Sequence, residues 1–592
     1  MKPNDSGQNS NTPMIRRQQF FSEGYIKEIH ISPRGDKSAY IAKNNEWRSI
    51  HVLPIVGQNA FANIINDENH IKKMRFVGNK YIVYVYSDEN NNMKLISVNL
   101  ETKERKDISP IDDAKSIHIA NGKNAIMTIS YNGRGYFLHK IDLLSGFTQL
   151  VKEDVAPIVA IFDNDLKLKL CYKNISGQTA DVFINDGTTN GRQIDQINLR
   201  QEKYISATDG YCWKLSVGKN NQMRLASFNL KNNAQSQIIM EGVSELSDCE
   251  VLFGENGTPL LATLCRNRRV TVPLCNSAKR PIERLNRELG KSDWHIVDST
   301  QDRKVWLVCA SDPRKPNKYY LYDTENGNKK QVATSINSLE KTNLPTTKWV
   351  KIPTRDGSSI RGYLTKNYSD KSPLVIMVHS GKRYNWEFYP LVQLLANRGY
   401  STLCINYRTN SDEMVGAEFT RGTMDILDSA NYALKNKITS AGNISIIASK
   451  KGASHAVPAF LKNPKLFTSC ILLSPIFPSG NNPLLNKKTL NEIRKPLIVI
   501  SNAQNARNAY SSSAGLGSLF SYILCKEAKH NNLTAGLIET SLAKAHKNPK
   551  YEKISAKDLG EAIPLFDGFG LIKNNWTEFN PEEENESNYD ML

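Results

Sequence analysis

The chain has 592 residues, of which 40% are hydrophobic, and it carries a formal net charge of +18 at pH 7. This length exceeds what one hydrophobic core organises, so two large domains are expected. No apolar run is long enough to span a bilayer, and residues 1–19 are polar, which argues against a membrane-spanning helix and a secretory signal peptide. A soluble, cytoplasmic protein is therefore expected.

The charge and the cysteines indicate no particular ligand. Lys and Arg total 77 against 59 for Asp and Glu, but the basic residues are spread along the chain without a dense block. This pattern argues against a nucleic-acid partner. Nine cysteines without a C-x-x-C pair argue against a disulfide framework and a structural zinc site. No cofactor and no metal are expected, and the oligomeric state stays open.

The first half of the chain is predicted to be a β-propeller. Residues 1–20, rich in Asn, Ser and Pro, predict a disordered leader. Over residues 21–336 short β-rich runs alternate with turn signals such as Asn256-Gly257, and no helical periodicity appears before residue 380. A repeat of about 44 residues suits four-stranded blades, and seven blades are predicted. Their starts fall near Tyr25, Ile71, Ala114, Glu153, Glu202, Val243 and Lys291.

The second half is predicted to be an α/β domain. Residues 337–348 form a polar linker, residues 349–578 alternate strands with helices, and residues 579–592 form an acidic tail. Continuous apolar strands between helices predict a mostly parallel, doubly wound sheet, whose ligands bind at the carboxyl ends of the strands. Strands are expected at IRGYLT, PLVIMVHS, STLCINYR, ISIIAS, SCILLSP, PLIVISNA and AGLIET, and helices after residues 385, 414, 452 and 512.

Residues 444–467 have the layout of a nucleophile elbow, a strand followed by a tight turn and a helix. In such a turn, G-x-S-x-G places the serine on the strained corner. Here the turn is Ala448-Ser449-Lys450-Lys451-Gly452, so Lys450 stands at the nucleophile position. Ser449 beside the corner and Ser454 within the helix start are expected to make local hydrogen bonds instead.

This elbow and several upstream motifs resemble the prolyl oligopeptidase family, serine peptidases with a β-propeller before an α/β-hydrolase domain. The spacing from Lys450 to Pro464 matches the family's spacing from serine to proline. The further motifs cover about 200 residues in the family's order, a specific signal. They are Thr354-Arg355-Asp356-Gly357, Val378-His379-Ser380-Gly381, Ala396-Asn397-Arg398-Gly399-Tyr400 and Asn406-Tyr407-Arg408.

The resemblance implies positions for the other catalytic groups. Asn505 stands at the position of the acid, and Lys544 at the position of the base, with His546 two residues later as the alternative. His379 lies in the loop that helps to form the family's oxyanion site, where Ser380 replaces a glycine. An amide cannot stabilise an imidazolium as a carboxylate does, so the triad is predicted to be replaced.

The favoured interpretation is a prolyl-oligopeptidase-family peptidase homologue that is inactive and binds peptides or a partner protein. One alternative is an active serine-type peptidase that cleaves short peptides with a displaced triad. Another is a scaffold that uses the propeller alone as an interaction platform. The two ammonium groups of Lys450 and Lys451 at a helix start further predict a preference for acidic ligands such as peptide C-termini.

Overall fold

A computed structural model describes residues 13–567 of the chain, apart from a series of internal stretches. Those stretches are 22–24, 44–47, 56–62, 68–69, 88–92, 110–113, 120–123, 132–135, 154–159, 164, 177, 186–190, 209, 219–221, 231–234, 244–245, 247–248, 343, 367–371, 380–382, 409–419, 478–493, 502–519, 526–531, 549 and 555–561. Asn505, Ser380 and the acidic tail therefore lie outside the described residues.

The chain divides into two compact units. One consists of Glu23–Asp312 and Pro316–Glu340, and the other of Met1–Ser22, Pro313–Lys315 and Lys341–Leu592. The helices are α1 (Arg17–Phe20), α2 (Asn276–Leu289), α3 (Pro390–Asn397), α4 (Arg421–Lys435), α5 (Ala453–Lys462) and α6 (Asn532–His546). None of these described helices has the length and apolar composition that crossing a bilayer requires.

The first of these units is a seven-bladed β-propeller, as predicted. Six of its antiparallel sheets have four strands and the sixth sheet has three, counted over the described residues. The first three blades comprise β1 (Tyr25–Ile31), β2 (Lys37–Lys43), β3 (Arg48–Pro54), β4 (Asn63–Asp67); β5 (His70–Val77), β6 (Tyr81–Ser87), β7 (Met93–Asn99), β8 (Arg105–Asp107); and β9 (Ala114–Ile119), β10 (Ala125–Tyr131), β11 (Tyr136–Asp142), β12 (Thr148–Glu153). The others comprise β13 (Ala160–Phe162), β14 (Leu168–Ser176), β15 (Thr179–Ile184), β16 (Arg192–Asn198); β17 (Glu202–Ala207), β18 (Tyr211–Val217), β19 (Gln222–Asn229), β20 (Gln235–Val243); β21 (Cys249–Phe253), β22 (Pro259–Cys265), β23 (Arg269–Pro273); and β24 (Asp293–Ser299), β25 (Val305–Asp312), β26 (Lys315–Asp323), β27 (Lys329–Thr334).

The first and seventh blades pack against each other and close the ring. Ile26 and Ile29 of β1 share a buried cluster with Leu307 of β25. His30 of β1 lies 2.8 Å from the Asp298 carboxylate of β24 through its Nδ1 atom. Each blade is a continuous piece of chain, so side-chain packing and ion pairing join the last blade to the first.

Helix α2 corrects the expectation that no helix precedes residue 380. Its buried side chains Ala278, Ile282 and Leu285 are spaced four and three residues apart and cover the sixth and seventh blades. Gly290 ends the helix with a positive φ of 58°, a conformation that glycine adopts at little cost. The helical period is present in the sequence, with charged residues on the exposed face, and Pro281 is the residue that would indicate a break in it.

The second unit is built on a nine-stranded sheet with the order β28-β29-β31-β30-β32-β33-β34-β35-β36. Strands β30 to β35 are mutually parallel, and their described side chains are almost all buried, as expected for a sheet covered on both faces. The strands are β28 (Thr347–Pro353), β29 (Ser359–Thr365), β30 (Leu374–Val378), β31 (Ser401–Asn406), β32 (Ile444–Ser449), β33 (Phe467–Leu473), β34 (Leu497–Ser501), β35 (Phe520–Cys525) and β36 (Ala562–Asp567). The fold class predicted from the sequence is confirmed.

The last parallel strand is not where the sequence analysis placed it. AGLIET, expected to be a strand, lies within helix α6, and β35 occupies FSYILC, where a helix was expected after residue 512. Leu537, Ile538 and Leu542 of α6 are buried, and so are the intervening Glu539 and Ser541. A short apolar run in a helix buried on all sides has no period that distinguishes it from a buried strand.

The end of the predicted leader is ordered against the α/β unit. Helix α1 contacts α3 and α6, and the side chains of Arg17 and Phe20 are buried. The Arg17 guanidinium lies 3.1 Å from the Glu539 carboxylate, which also pairs with Arg398. A buried charge needs such a partner. Residues 13–20 are ordered by these tertiary contacts, which their polar composition does not indicate.

Candidate functional site

The corner after β32 has the backbone of a nucleophile elbow. Lys450 follows the last strand residue with a φ of 46°, in the left-handed region that residues with a β-carbon rarely occupy. A short 3₁₀ turn, Lys450–Gly452, then leads into α5. Strain of this kind costs roughly 1–3 kcal/mol and persists where the surrounding structure fixes it.

Gly452 allows the start of α5 to approach β30 closely. A β-carbon at this position would lie 2.6 Å from the carbonyl oxygen of His379 and 3.1 Å from Cγ1 of Val378. The Lys450 carbonyl also accepts a hydrogen bond from the Ile476 amide at 3.1 Å. These contacts fix the corner that presents the Lys450 side chain.

Neither neighbouring serine occupies this corner. Ser449 is the last residue of β32 and is half-buried. Ser454 lies in the first turn of α5, and its hydroxyl donates to the Lys451 carbonyl at 2.7 Å. The hydroxyl of Ser454 therefore makes the local hydrogen bond that its position predicts.

Two histidines flank the elbow, the buried His379 and the half-buried His455. The His379 ring stacks on Tyr407 with its centroid 4.5 Å away, and His455 of α5 lies 2.5 Å from the Thr420 hydroxyl through its Nδ1 atom. Burial lowers the pKa of each imidazole to about 4, and the nearby Arg383 adds to the effect at His379. Both rings are therefore neutral at pH 7.

Lys450 lines a cavity of about 390 Å³ at the carboxyl ends of the central strands. Small-ligand sites have volumes of roughly 300–1,000 Å³, so a small molecule or a short peptide segment fits. The lining residues are Phe21, Met377, Val378, His379, Arg383, Tyr384, Glu387, Tyr389, Leu391, Ile447, Ser449, Lys450, Leu473, Thr534, Ala535 and Ile538. The structure thus brings together two of the sequence-predicted residues, Lys450 and His379.

The predicted base position lies elsewhere in the same unit. The His546 ring at the end of α6 is 2.8 Å from the Ser445 hydroxyl and 3.0 Å from the Asn443 side-chain oxygen. Ser445 is near the start of β32, five residues or about 16 Å along the strand from Lys450. Lys544 is exposed on the same last turn of α6. The structure does not bring Lys544 or His546 to the elbow.

Sequence reasoning missed several residues of this region. Arg383 and Glu387 line the cavity, although no motif had singled them out. His530 stands between Cys525, where β35 ends, and Thr534, which lines the cavity with Lys450. His530 and Asn505 lie outside the described residues. Once FSYILC is recognised as the last parallel strand, the connection that follows it is where a base would be sought.

Comparison with known proteins gives relatives in sequence and in fold. No family model matches the chain. The chain is 24% identical over 426 residues to dipeptidyl aminopeptidase BIII of Pseudoxanthomonas mexicana. This alignment covers 66% of the chain but only 61% of the length of that relative.

Solved structures with a similar fold cover most of the chain. A puromycin-hydrolyzing peptidase of Mycobacterium tuberculosis has a TM-score of 0.65 at 10% identity, covering 90% of this chain and 96% of that one. Prolyl oligopeptidase B of Galerina marginata has a TM-score of 0.62 at 10% identity and covers 84% of each chain. The sequence and fold similarities together support the resemblance of the chain to the serine peptidases of the prolyl oligopeptidase family.

Proposed function

We propose that the chain is a prolyl-oligopeptidase-like homologue that binds peptides and does not hydrolyse them. The observation that carries the proposal is Lys450, whose strained backbone occupies the corner where a peptidase of this fold presents its serine. An elbow preserved without its hydroxyl favours a site that still receives a ligand. The cavity beside Lys450 supplies the space for that ligand.

The surroundings of Lys450 support inactivity. A serine nucleophile requires a base within hydrogen-bonding reach, and that base requires an acid that orients it. His546 bonds to Ser445 about a strand length from the corner, and Lys544 lies on the same last turn of α6. His530 lies outside the described residues, so inactivity is inferred from Lys450 and from the segment at the acid position. The segment Ser501–Asn508, which follows β34, contains no Asp or Glu. Loss of the nucleophile or the base from such a triad costs roughly 10⁶-fold in kcat.

The test of inactivity is labelling with a fluorophosphonate probe, which reacts with activated serine hydroxyls. We expect no labelling of the native chain, and no cleavage of a chromogenic peptide by the Lys450→Ser variant. The related peptidase from Pseudoxanthomonas mexicana serves as the positive control. Stoichiometric labelling that is lost on Ser454→Ala or Ser449→Ala would contradict the proposal, as would cleavage by Lys450→Ser well above the parent.

A further inference from the structure

We infer that the cavity at Lys450 binds the free C-terminal carboxylate of a peptide whose last side chain is apolar. The inference rests on the proposed function, since it names the class of peptide that the site would take. Three observations support the inference: the charged groups that line the cavity, its apolar walls, and the position of Lys450 at the corner after β32.

The charged groups of the cavity favour a carboxylate. Lys450 and Arg383 contribute two cations to the lining, and Glu387 contributes one carboxylate. Glu387 accepts a hydrogen bond from the Tyr389 hydroxyl at 2.9 Å. His379 adds no charge at pH 7, because burial and Arg383 lower its pKa to about 4. An incoming carboxylate would form charge-assisted hydrogen bonds, the stronger class of such bonds.

The walls of the cavity favour an apolar side chain beside that carboxylate. Met377, Ile447 and Leu473 contribute from three adjacent strands, and Leu391 and Ile538 contribute from helices α3 and α6. A charged side chain placed against these residues would lose its hydration, a cost that apolar walls do not offset. A leucine-sized side chain would exchange water for apolar contacts.

The position of Lys450 explains why the carboxylate would be terminal. A peptidase nucleophile attacks the carbonyl carbon of the bond to be cleaved. With an ammonium group at that corner, no acyl intermediate forms, and the group that pairs best with the ammonium is an anion. The anion that a peptide carries at this point of its backbone is its α-carboxylate, the same group that hydrolysis would release.

The test compares Gly-Ala-Leu as the free acid with the same tripeptide as its C-terminal amide, by titration calorimetry at low and high salt. We expect the free acid to bind about tenfold more tightly than the amide at low salt, and high salt to reduce this difference in affinity. Gly-Ala-Lys as the free acid is expected to bind about tenfold more weakly than Gly-Ala-Leu. Equal affinities of the acid and the amide would overturn the inference.

Two variants separate Lys450 from its neighbour. Lys450→Met is expected to abolish the preference for the acid, and Lys450→Arg to retain it in part. Lys451→Met is the matched control, because Lys451 has the same charge but is exposed and outside the cavity lining. A preference that survives Lys450→Met and disappears with Lys451→Met would assign it to the surface charge and refute the inference. Thermal melting checks that each variant is folded.

The outcomes also distinguish this inference from the proposed function. If the acid and the amide bind equally well, peptide binding stands and carboxylate recognition fails. If neither peptide binds, both fail. If the chain cleaves either peptide, the proposed inactivity is refuted, whichever of the two peptides binds more tightly. The comparison of the two native-chain titrations needs no variant, so misfolding of Lys450→Met would not prevent a decision.

Discussion

Lys450 occupies a backbone conformation that glycine would adopt at lower energy. Its φ of 46° is fixed by the buried strand before it, the close contact at Gly452 after it and the hydrogen bond from Ile476 to its carbonyl. Backbone strain of this kind is common where a side chain must be held in one direction. The structure therefore presents the Lys450 side chain at a fixed place, which is a requirement for ligand recognition as much as for catalysis.

Replacement of Gly452 by alanine is expected to destabilise the α/β unit by about 1–3 kcal/mol, the usual cost of overpacking a core. The added methyl group would lie 2.6 Å from the backbone oxygen of His379, which cannot rotate away as a side chain could. Calorimetric melting measures the loss.

A suitable control for that substitution is Gly357→Ala. Gly357 has no atom within 4 Å of an added β-carbon, although its φ of 80° makes any replacement strained. Gly357→Ala therefore measures a backbone penalty without a clash, whereas Gly452 has a φ of −60° and its replacement adds the steric clash alone. A Gly452→Ala variant as stable as the native chain would show that α5 can move away from β30.

The strand, turn and helix around Lys450 could be predicted from the sequence, and the location of the last parallel strand could not. The position of Lys450 at the corner follows from local sequence spacing, because a strand, a turn and a helix follow one another within one short stretch. The base depends on which distant strand is last in the sheet. AGLIET and FSYILC are both short apolar runs, and only tertiary burial decides that the first belongs to α6 and the second to β35.

At the scale of elements, α1, α3 and α6 are joined by a buried ionic cluster. Glu539 of α6 pairs with Arg17 at 3.1 Å and with Arg398, and all three side chains are nearly inaccessible to solvent. The Arg398 guanidinium also donates to the Ile15 carbonyl at 2.9 Å. Glu539 thus pairs with two buried cations that come from distant parts of the chain, and the Glu552 carboxylate also lies 3.4 Å from Arg398.

Replacement of Glu539 by glutamine is expected to lower the free energy of unfolding by about 3–5 kcal/mol, because it removes the negative charge that both buried guanidinium groups share. Calorimetric melting of the α/β unit would measure this. Glu101→Gln is the matched control, since Glu101 pairs with Lys80 on the propeller surface, where both side chains are more than half exposed. That control is expected to have the melting temperature of the native chain. Equal melting temperatures of the two variants would contradict the role assigned to Glu539.

The propeller shows which elements a sequence specifies locally. The predicted starts at Tyr25, Ala114 and Glu202 coincide with first strands of blades, and those near Ile71 and Lys291 fall within two residues of one. The starts at Glu153 and Val243 instead coincide with the ends of β12 and β20. Strand and turn patterns in the sequence predict the length of the repeat. Whether a strand is the last of one blade or the first of the next depends on which strands it pairs with in the folded sheet.

At the scale of the whole molecule, the α/β unit is expected to lose stability as the pH falls from 6.5 towards 4. Burial lowers the pKa of His379, His455 and His546 to about 4, whereas an unfolded histidine titrates near 6.5. The unfolded chain therefore binds more protons within that window, and acidification favours unfolding. Above pH 6.5 these three groups contribute no further pH dependence.

Hydrogen-exchange protection of peptides from α5 and α6 at pH 7.5, 6 and 5 would measure this effect within the α/β unit. Protection factors corrected for intrinsic exchange are expected to fall slightly from pH 7.5 to 6 and more steeply from pH 6 to 5. The His546→Gln variant should show a shallower decline, because glutamine can still bond to Ser445 and Asn443 but does not titrate in this range. Protection that is constant from pH 7.5 to 5 would contradict the assignment.

The pairing of Arg17 with Glu539 has a consequence for the order in which the protein forms during synthesis. The two residues are 522 positions apart, so at roughly 5–20 residues per second the arginine emerges from the ribosome about half a minute to two minutes before its carboxylate. The complete propeller sequence is translated within that interval. The propeller can thus form while residues 13–21 still lack their partners, and the α/β unit can be completed only after α6 has been translated.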